Sequence, residues 1–79
     1  MEIRVTSELL GEEVEADMSA WLVSDGAMVE EGEAIAELET SKVVVTIQAP
    51  ASGVIHQRVQ VGDLLEVDAI VATMEVRAK

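Results

Sequence analysis

The sequence predicts an all-β domain: a flattened barrel or sandwich of two similar small antiparallel sheets with approximate two-fold symmetry. The hydrophobic fraction is 49%, yet Trp21 is the only aromatic residue, so the core must be aliphatic and rich in the β-branched residues that favour strands. Turn-forming residues interrupt the apolar segments at close intervals, as expected for many short strands. An internal repeat gives the third indication.

The repeat becomes visible when the sequence is shifted by 36 positions, which places Gly26 on Gly62. Seven further pairs are identical or similar: Val29/Leu65, Glu30/Glu66, Ala34/Ile70, Ile35/Val71, Ala36/Ala72, Leu38/Met74 and Glu39/Glu75. A shift of 33 is expected to relate residues 19–22 to residues 52–55. Neither half can bury its apolar face alone, so we expect the two halves to pack together in one domain over residues 1–79, with its core within 3–76.

Individual elements follow from local patterns. Residues 8–18 are predicted to form a loop and a short strand, because Gly11 and a mostly acidic polar face argue against a helix. In residues 43–47 and 70–76 apolar side chains recur at every second position, on one face of an extended segment, which indicates half-buried strands. Trp21, a large ring in a small aliphatic domain, is expected to anchor the core.

The charge of the chain limits its partners. A formal net charge of −11 and a pI near 4.1 oppose binding to nucleic acid and to anionic membranes, and favour proteins with basic surfaces. The amino terminus lacks a signal-peptide pattern, and no apolar run is long enough to cross a bilayer. We therefore expect a soluble domain, monomeric in isolation, in a bacterial cytoplasm or an organelle matrix.

Catalysis by the chain itself has little support in the sequence. His56 is the sole histidine, there is no cysteine, and no Gly-x-Ser-x-Gly segment is present. His56 is expected on the surface or at a sheet edge. Asp63, Glu66 and Asp68 lack the spacing of a calcium loop, so solvated acids are expected and no metal site is predicted.

The segment ELETSKVVV at residues 37–45 is predicted to form a strand, a tight turn and a second strand, with Lys42 near the apex. Apart from Lys79, Lys42 is the only lysine of the chain. An exposed lysine amine is a good acylation target, and acylation adds a long arm while removing the charge. Two-fold symmetry predicts that this turn lies at the pole opposite the chain termini.

Five motifs carry a family resemblance: AWLV followed by DG at 20–26, VEEGE at 29–33, ELETSKV at 37–43, APASGV at 49–54 and VGD at 61–63. In this order they resemble the lipoyl domains of 2-oxoacid dehydrogenase complexes, over about residues 3–76. The resemblance implies that Lys42 carries lipoate in amide linkage, attached by a lipoate ligase or lipoyl transferase. Glu39, Thr40, Ser41 and Val43 are then the turn and recognition residues.

The same resemblance implies a shuttle. The lipoyl arm accepts an acyl group at a 2-oxoacid decarboxylase, delivers it to coenzyme A at an acyltransferase and is reoxidised by dihydrolipoamide dehydrogenase, so the chemistry belongs to the cofactor and to those partners. This chain departs from the family pattern at Ser41, where an aspartate is usual, at Ala27, where Gly-Asp is common, and in having no proline after the first strand.

Two alternatives stay open from the sequence. A biotinyl carrier domain shares the barrel and the hairpin lysine, but its lysine is typically flanked by methionines, whereas Ser41 and Val43 flank Lys42. An unmodified interaction module, in which Lys42 remains a free amine, is the other. The mass of the protein after exposure to each ligase separates the three.

Overall fold

The computed structural model describes residues 1–77 and contains eight strands and one helical turn in that range. The elements in chain order are β1 (Glu2–Arg4), α1 (Ser7–Leu10), β2 (Glu15–Trp21), β3 (Met28–Val29), β4 (Ala34–Glu39), β5 (Val44–Gln48), β6 (Gly53–Gln57), β7 (Leu64–Glu66) and β8 (Ile70–Val76). No helix within these residues is long and apolar enough to span a membrane.

The strands form two four-stranded sheets in which every neighbouring pair is antiparallel. The terminal sheet has the order β1-β8-β6-β3, and the lysine sheet, whose strands β4 and β5 flank Lys42, has the order β5-β4-β2-β7. The molecule measures 39 × 21 × 17 Å, so it is about twice as long as it is wide. The predicted all-β architecture of two similar sheets is confirmed.

The core between the sheets is aliphatic. Its fully buried side chains come from both halves of the chain and include Met18, Ile35, Leu38, Ile55 and Val71. Among residues 1–77 no polar or charged residue is buried, so the core requires no internal hydrogen-bond partners for its side chains. Each fully buried Leu, Ile or Val contributes about 1.5–3 kcal/mol relative to exposure, which makes this cluster the main source of stability.

The internal two-fold symmetry is visible in the hydrogen bonds. The Gly26 N–H donates to the Ile55 carbonyl at 2.8 Å, and the Gly62 N–H donates to the Met18 carbonyl at 2.8 Å. Met18 is therefore the counterpart of Ile55, a separation of 37 residues. The expected shift of 33 for the segment before the first glycine was wrong, because strand register and not residue similarity sets the equivalence.

Matching β-bulges support the 36-residue repeat. The register of β4 against β5 shifts between Ala34 and Ala36, and that of β1 against β8 shifts where Ile3 pairs with Ala72 and Arg4 with Ile70. The extra residues, Ile35 and Val71, are related by 36 positions, and each is buried together with the alanine that follows it. A bulge turns consecutive side chains to one face, which explains why β8 departs from simple alternation.

The segment before β2 differs from the prediction. Residues 7–10 form one helical turn, followed by a loop over residues 11–14 and then by β2. The Thr6 hydroxyl caps this turn by accepting a hydrogen bond from the Leu9 N–H at 3.1 Å, and Leu10 is buried beneath it. The prediction of loop and strand for residues 8–18 was therefore wrong for residues 8–10, because capping and the burial of one leucine stabilise a turn too short to leave a periodic pattern.

Candidate functional site

The turn between β4 and β5, residues 40–43, is the lysine turn. It is closed by a hydrogen bond from the Thr40 N–H to the Val43 carbonyl at 2.8 Å. The Thr40 hydroxyl accepts from the N–H groups of Lys42 at 3.2 Å and Val43 at 3.0 Å, and donates to the Val43 carbonyl at 3.0 Å. One threonine side chain thus satisfies backbone groups across the turn and fixes the backbone from which the lysine projects.

Lys42 itself is exposed. Within residues 1–77 its amine takes part in no ion pair or side-chain hydrogen bond, so the group is open to an incoming reagent. Both sequence neighbours of Lys42 are exposed as well: Ser41 before it and Val43, which is 54% exposed, after it. Because the backbone is braced while the side chain is unattached, an adduct on this amine would swing from a fixed point.

Glu39 lies at the end of β4, exposed, with Asp17 of β2 on one side and Val44 of β5 on the other. It is therefore accessible beside the lysine turn. Glu39, Thr40, Ser41, Lys42 and Val43, the five residues that the sequence singled out, are consecutive and lie at the end of β4 and in the lysine turn.

Glu13 also belongs to this site, although no sequence pattern indicated it. The Ser41 hydroxyl donates to the Glu13 carboxylate at 2.7 Å, joining the lysine turn to the loop of residues 11–14. The two residues are 28 positions apart, and Glu13 stands in an acidic stretch that is typical of solvated surface. Only the fold brings them into contact.

A cleft of about 760 Å³ opens between this loop and the lysine turn. Four carboxylates line it, from Glu13, Glu15, Asp17 and Glu39. Exposed apolar side chains lie among them: Val14, Val43, Val44 and Leu64. The cleft therefore presents both negative charge and apolar surface next to the exposed Lys42 amine.

His56 and Asp63, two other residues considered from the sequence, make contacts with neighbouring groups of the fold. The imidazole of His56 lies on the outer surface of β6, with Nε2 2.8 Å from the Glu75 carboxylate. The Asp63 carboxylate accepts from the Gln60 N–H at 2.8 Å and closes a turn. Within residues 1–77 no group of three or more His, Asp or Glu side chains is arranged to hold a metal ion.

Trp21 is partly buried and packs against the edge of the core. Its indole N–H donates to the Val59 carbonyl at 3.1 Å, linking the end of β2 to the loop after β6. It is thus an anchor at the edge of the core, and its indole N–H links the two halves of the chain.

An exposed amine on a braced hairpin, beside an open cleft, is the arrangement that a carrier requires: a domain that presents a covalently attached group to the active sites of other proteins. The comparison with family models agrees. The model described as "Biotin-requiring enzyme", the biotin/lipoyl family, matches residues 3–74. The chain belongs to this family, as a non-catalytic attachment domain.

The chain is also similar in sequence to several curated proteins. The chain is 34% identical over 61 residues to the dihydrolipoyllysine-residue acetyltransferase component of the acetoin cleaving system of Cupriavidus necator, covering 76% of this chain and 16% of that protein. It is 38% identical over 79 residues to the dihydrolipoyllysine-residue succinyltransferase component of the 2-oxoglutarate dehydrogenase complex of Bartonella vinsonii, covering 98% and 19%. The corresponding Bacillus subtilis protein is 39% identical over 61 residues, covering 76% and 15%. The chain thus spans less than a fifth of the length of these relatives.

Proposed function

We propose that Lys42 carries lipoate in amide linkage and that the domain acts as the swinging arm of a 2-oxoacid dehydrogenase complex. The observation that carries the proposal is the exposed Lys42 amine on a turn braced by Thr40, an amine that has no ion-pair partner among residues 1–77. The relatives are named as dihydrolipoyllysine-residue acyltransferases, which favours lipoate over biotin within a family that covers both.

The physical role of the domain is tethering. A lipoyl group fixed to a domain reaches each partner site at a high effective concentration, because its encounter with that site no longer depends on free diffusion of the cofactor. Three partners follow from this role: a decarboxylase that acylates the arm, an acyltransferase that passes the acyl group to coenzyme A, and a dihydrolipoamide dehydrogenase that reoxidises the dithiol. A lipoate ligase or lipoyl transferase attaches the arm, and a cytoplasmic or organelle-matrix location is proposed with it.

The acidic surface agrees with this role. The carboxylates of Glu13, Glu15, Asp17 and Glu39 surround the cleft beside Lys42, and the formal charge of the chain is −11. The negative electrostatic field of these groups raises the rate of association with basic partner surfaces and lowers the rate with acidic ones. We propose that partner sites receiving the arm are positively charged around their entrance.

The test is loading followed by tryptic digestion. The purified protein is incubated with lipoate ligase, lipoate and ATP, and in parallel with biotin ligase, biotin and ATP. Trypsin cleaves unmodified protein after Lys42, giving peptides 5–42 and 43–58, whereas an acylated Lys42 resists cleavage and gives the single peptide 5–58. We expect peptide 5–58 with one lipoyl group in the first reaction alone.

Each alternative has its own outcome in the same experiment. A biotinylated peptide 5–58 without lipoylation would assign the domain to biotin carriers. Cleavage after Lys42 in both reactions would overturn the carrier proposal and leave an unmodified interaction module. A lipoyl group on the carboxyl-terminal lysine, Lys79, would contradict the assignment of the site while leaving the cofactor correct.

A further inference from the structure

Glu13 and Ser41 join two segments that are otherwise separate at the lysine end of the domain. The 2.7 Å contact between the Ser41 hydroxyl and the Glu13 carboxylate is, within residues 1–77, the only hydrogen bond between the loop of residues 11–14 and the lysine turn. We propose that this pair fixes the loop and the turn as one recognition surface, which makes Glu13 a positioning residue for the enzyme that acylates Lys42. The proposal rests on the proposed function.

The base of the loop is already fixed. Leu10, just before it, is 4% exposed, and the Glu13 N–H donates to the Leu10 carbonyl at 3.2 Å. At the other side the chain enters β2 at Glu15, which pairs with Glu66. With both ends held, the Glu13 side chain supplies the hydrogen bond that ties the middle of the loop to the lysine turn.

The chemistry of the two side chains decides which of them donates the hydrogen bond and which accepts it. The serine hydroxyl donates and the carboxylate accepts, which gives a short charge-assisted hydrogen bond. A carboxylate at position 41 would have no proton to donate at neutral pH and would repel Glu13. The two positions are therefore interdependent: the residue tolerated at 41 is decided by the residue at 13.

The loop forms one wall of the cleft beside the amine. Glu13 and Val14 line that wall, and Val14 is 72% exposed. An enzyme that receives the Lys42 amine must accommodate this wall as well as the turn. Displacing the loop therefore weakens binding of the domain and raises KM, whereas the reactivity of the exposed amine, and with it kcat, is unchanged.

Exchanging the donor and the acceptor of this hydrogen bond tests the proposal. In the double variant Ser41→Asp with Glu13→Gln, the glutamine amide can donate to the aspartate, so the hydrogen bond is restored with donor and acceptor exchanged. The single variants Ser41→Asp and Glu13→Ala remove it. Glu12→Ala is the matched control, because Glu12 is an exposed loop carboxylate next to Glu13 in the sequence.

Lipoylation kinetics are measured for each variant with lipoate ligase, lipoate and ATP, together with amide hydrogen exchange of residues 12–14. We expect Ser41→Asp and Glu13→Ala to raise KM about fivefold with kcat within about twofold, and to speed loop exchange. The double variant should return both quantities to within about twofold of the parent protein, and Glu12→Ala should leave them unchanged.

Two results would overturn the proposal while leaving the proposed function intact. One is an unchanged KM in Ser41→Asp and Glu13→Ala. The other is a double variant whose KM stays as high as that of Ser41→Asp, since position 41 would then act through direct contact with the enzyme. A parent protein that gains no lipoyl group is a different result, because it overturns the proposed function and the recognition surface together.

Discussion

Asp68 occupies the position in the second half of the domain that Gly32 occupies in the first. Both have left-handed backbone angles, with φ of 77° at Asp68 and 86° at Gly32. Their N–H groups make equivalent hydrogen bonds, from Asp68 to the Val5 carbonyl at 2.7 Å and from Gly32 to the Ala49 carbonyl at 2.8 Å. Within residues 1–77 Asp68 is the only residue other than glycine with positive φ, so the fold imposes this conformation on whichever residue stands there.

The first prediction concerns this pair of positions. Gly32→Ala should lower the free energy of unfolding by about 1 kcal/mol, because a Cβ disfavours positive φ. Asp68→Gly should raise it by about 0.5 kcal/mol, since the relief of backbone strain exceeds the added entropy of the unfolded chain. Urea unfolding measures both changes.

Comparing Gly32→Ala with Asp68→Gly separates the effect of the backbone angle on stability from steric effects. A Cβ at Gly32 would meet no atom within 4 Å, so a loss of stability there comes from the backbone angle. The Arg4 guanidinium donates to the backbone carbonyl of Asp68, at 2.8 Å, and this contact survives Asp68→Gly. A stabilising Gly32→Ala, or a destabilising Asp68→Gly, would show that the two positions are not equivalent.

The second prediction concerns the brace of the lysine turn. Thr40→Val keeps the shape of the side chain but removes the hydroxyl that serves Lys42 and Val43, and we expect a loss of about 1 kcal/mol in unfolding free energy. Amide exchange at Lys42 and Val43 should accelerate. Thr40→Ser retains the hydroxyl and should behave as the parent protein does; a destabilised Thr40→Ser beside an unchanged Thr40→Val would instead assign the role to the methyl group.

The third prediction separates folding from loading. Lys42→Arg should change the free energy of unfolding by no more than about 0.5 kcal/mol, because the side chain is exposed and lies outside the core. The same variant should accept no lipoyl group in the ligase reaction. Urea unfolding and intact mass measure the two properties, and an unfolded Lys42→Arg would identify the lysine as a structural residue.

The sequence predicted the features that depend on repetition and on local pattern. The 36-residue repeat relating Ile35 to Val71 revealed the two similar sheets, and the Thr-Ser-Lys segment between two apolar runs revealed the turn. What it did not reveal depends on contacts between distant segments. The bond from Ser41 to Glu13 spans 28 residues, and neither residue carries a local sign of the other.

The last prediction concerns the outer face of the lysine sheet, where carboxylates lie directly opposite one another. Glu15 of β2 pairs with Glu66 of β7, and Asp17 of β2 pairs with Glu39 of β4. Like charges at directly opposed positions destabilise a sheet. Glu66→Gln should therefore raise the free energy of unfolding by about 0.5 kcal/mol at low ionic strength, a gain that shrinks as salt screens the repulsion.

Glu2→Gln is the control for this substitution, because Glu2 is an exposed strand carboxylate that has a cationic partner, the Arg4 guanidinium at 2.7 Å. Removing its charge should give no gain in stability at any salt concentration. Urea unfolding of both variants at about 0.02 M and about 0.5 M salt makes the comparison, across the range in which screening becomes effective. If Glu66→Gln and Glu2→Gln respond alike, the effect belongs to the net charge of −11 and not to the opposed pairs. A gain confined to Glu66→Gln would show that this acidic face is maintained at a cost in stability, as expected for a surface selected for the partners it meets.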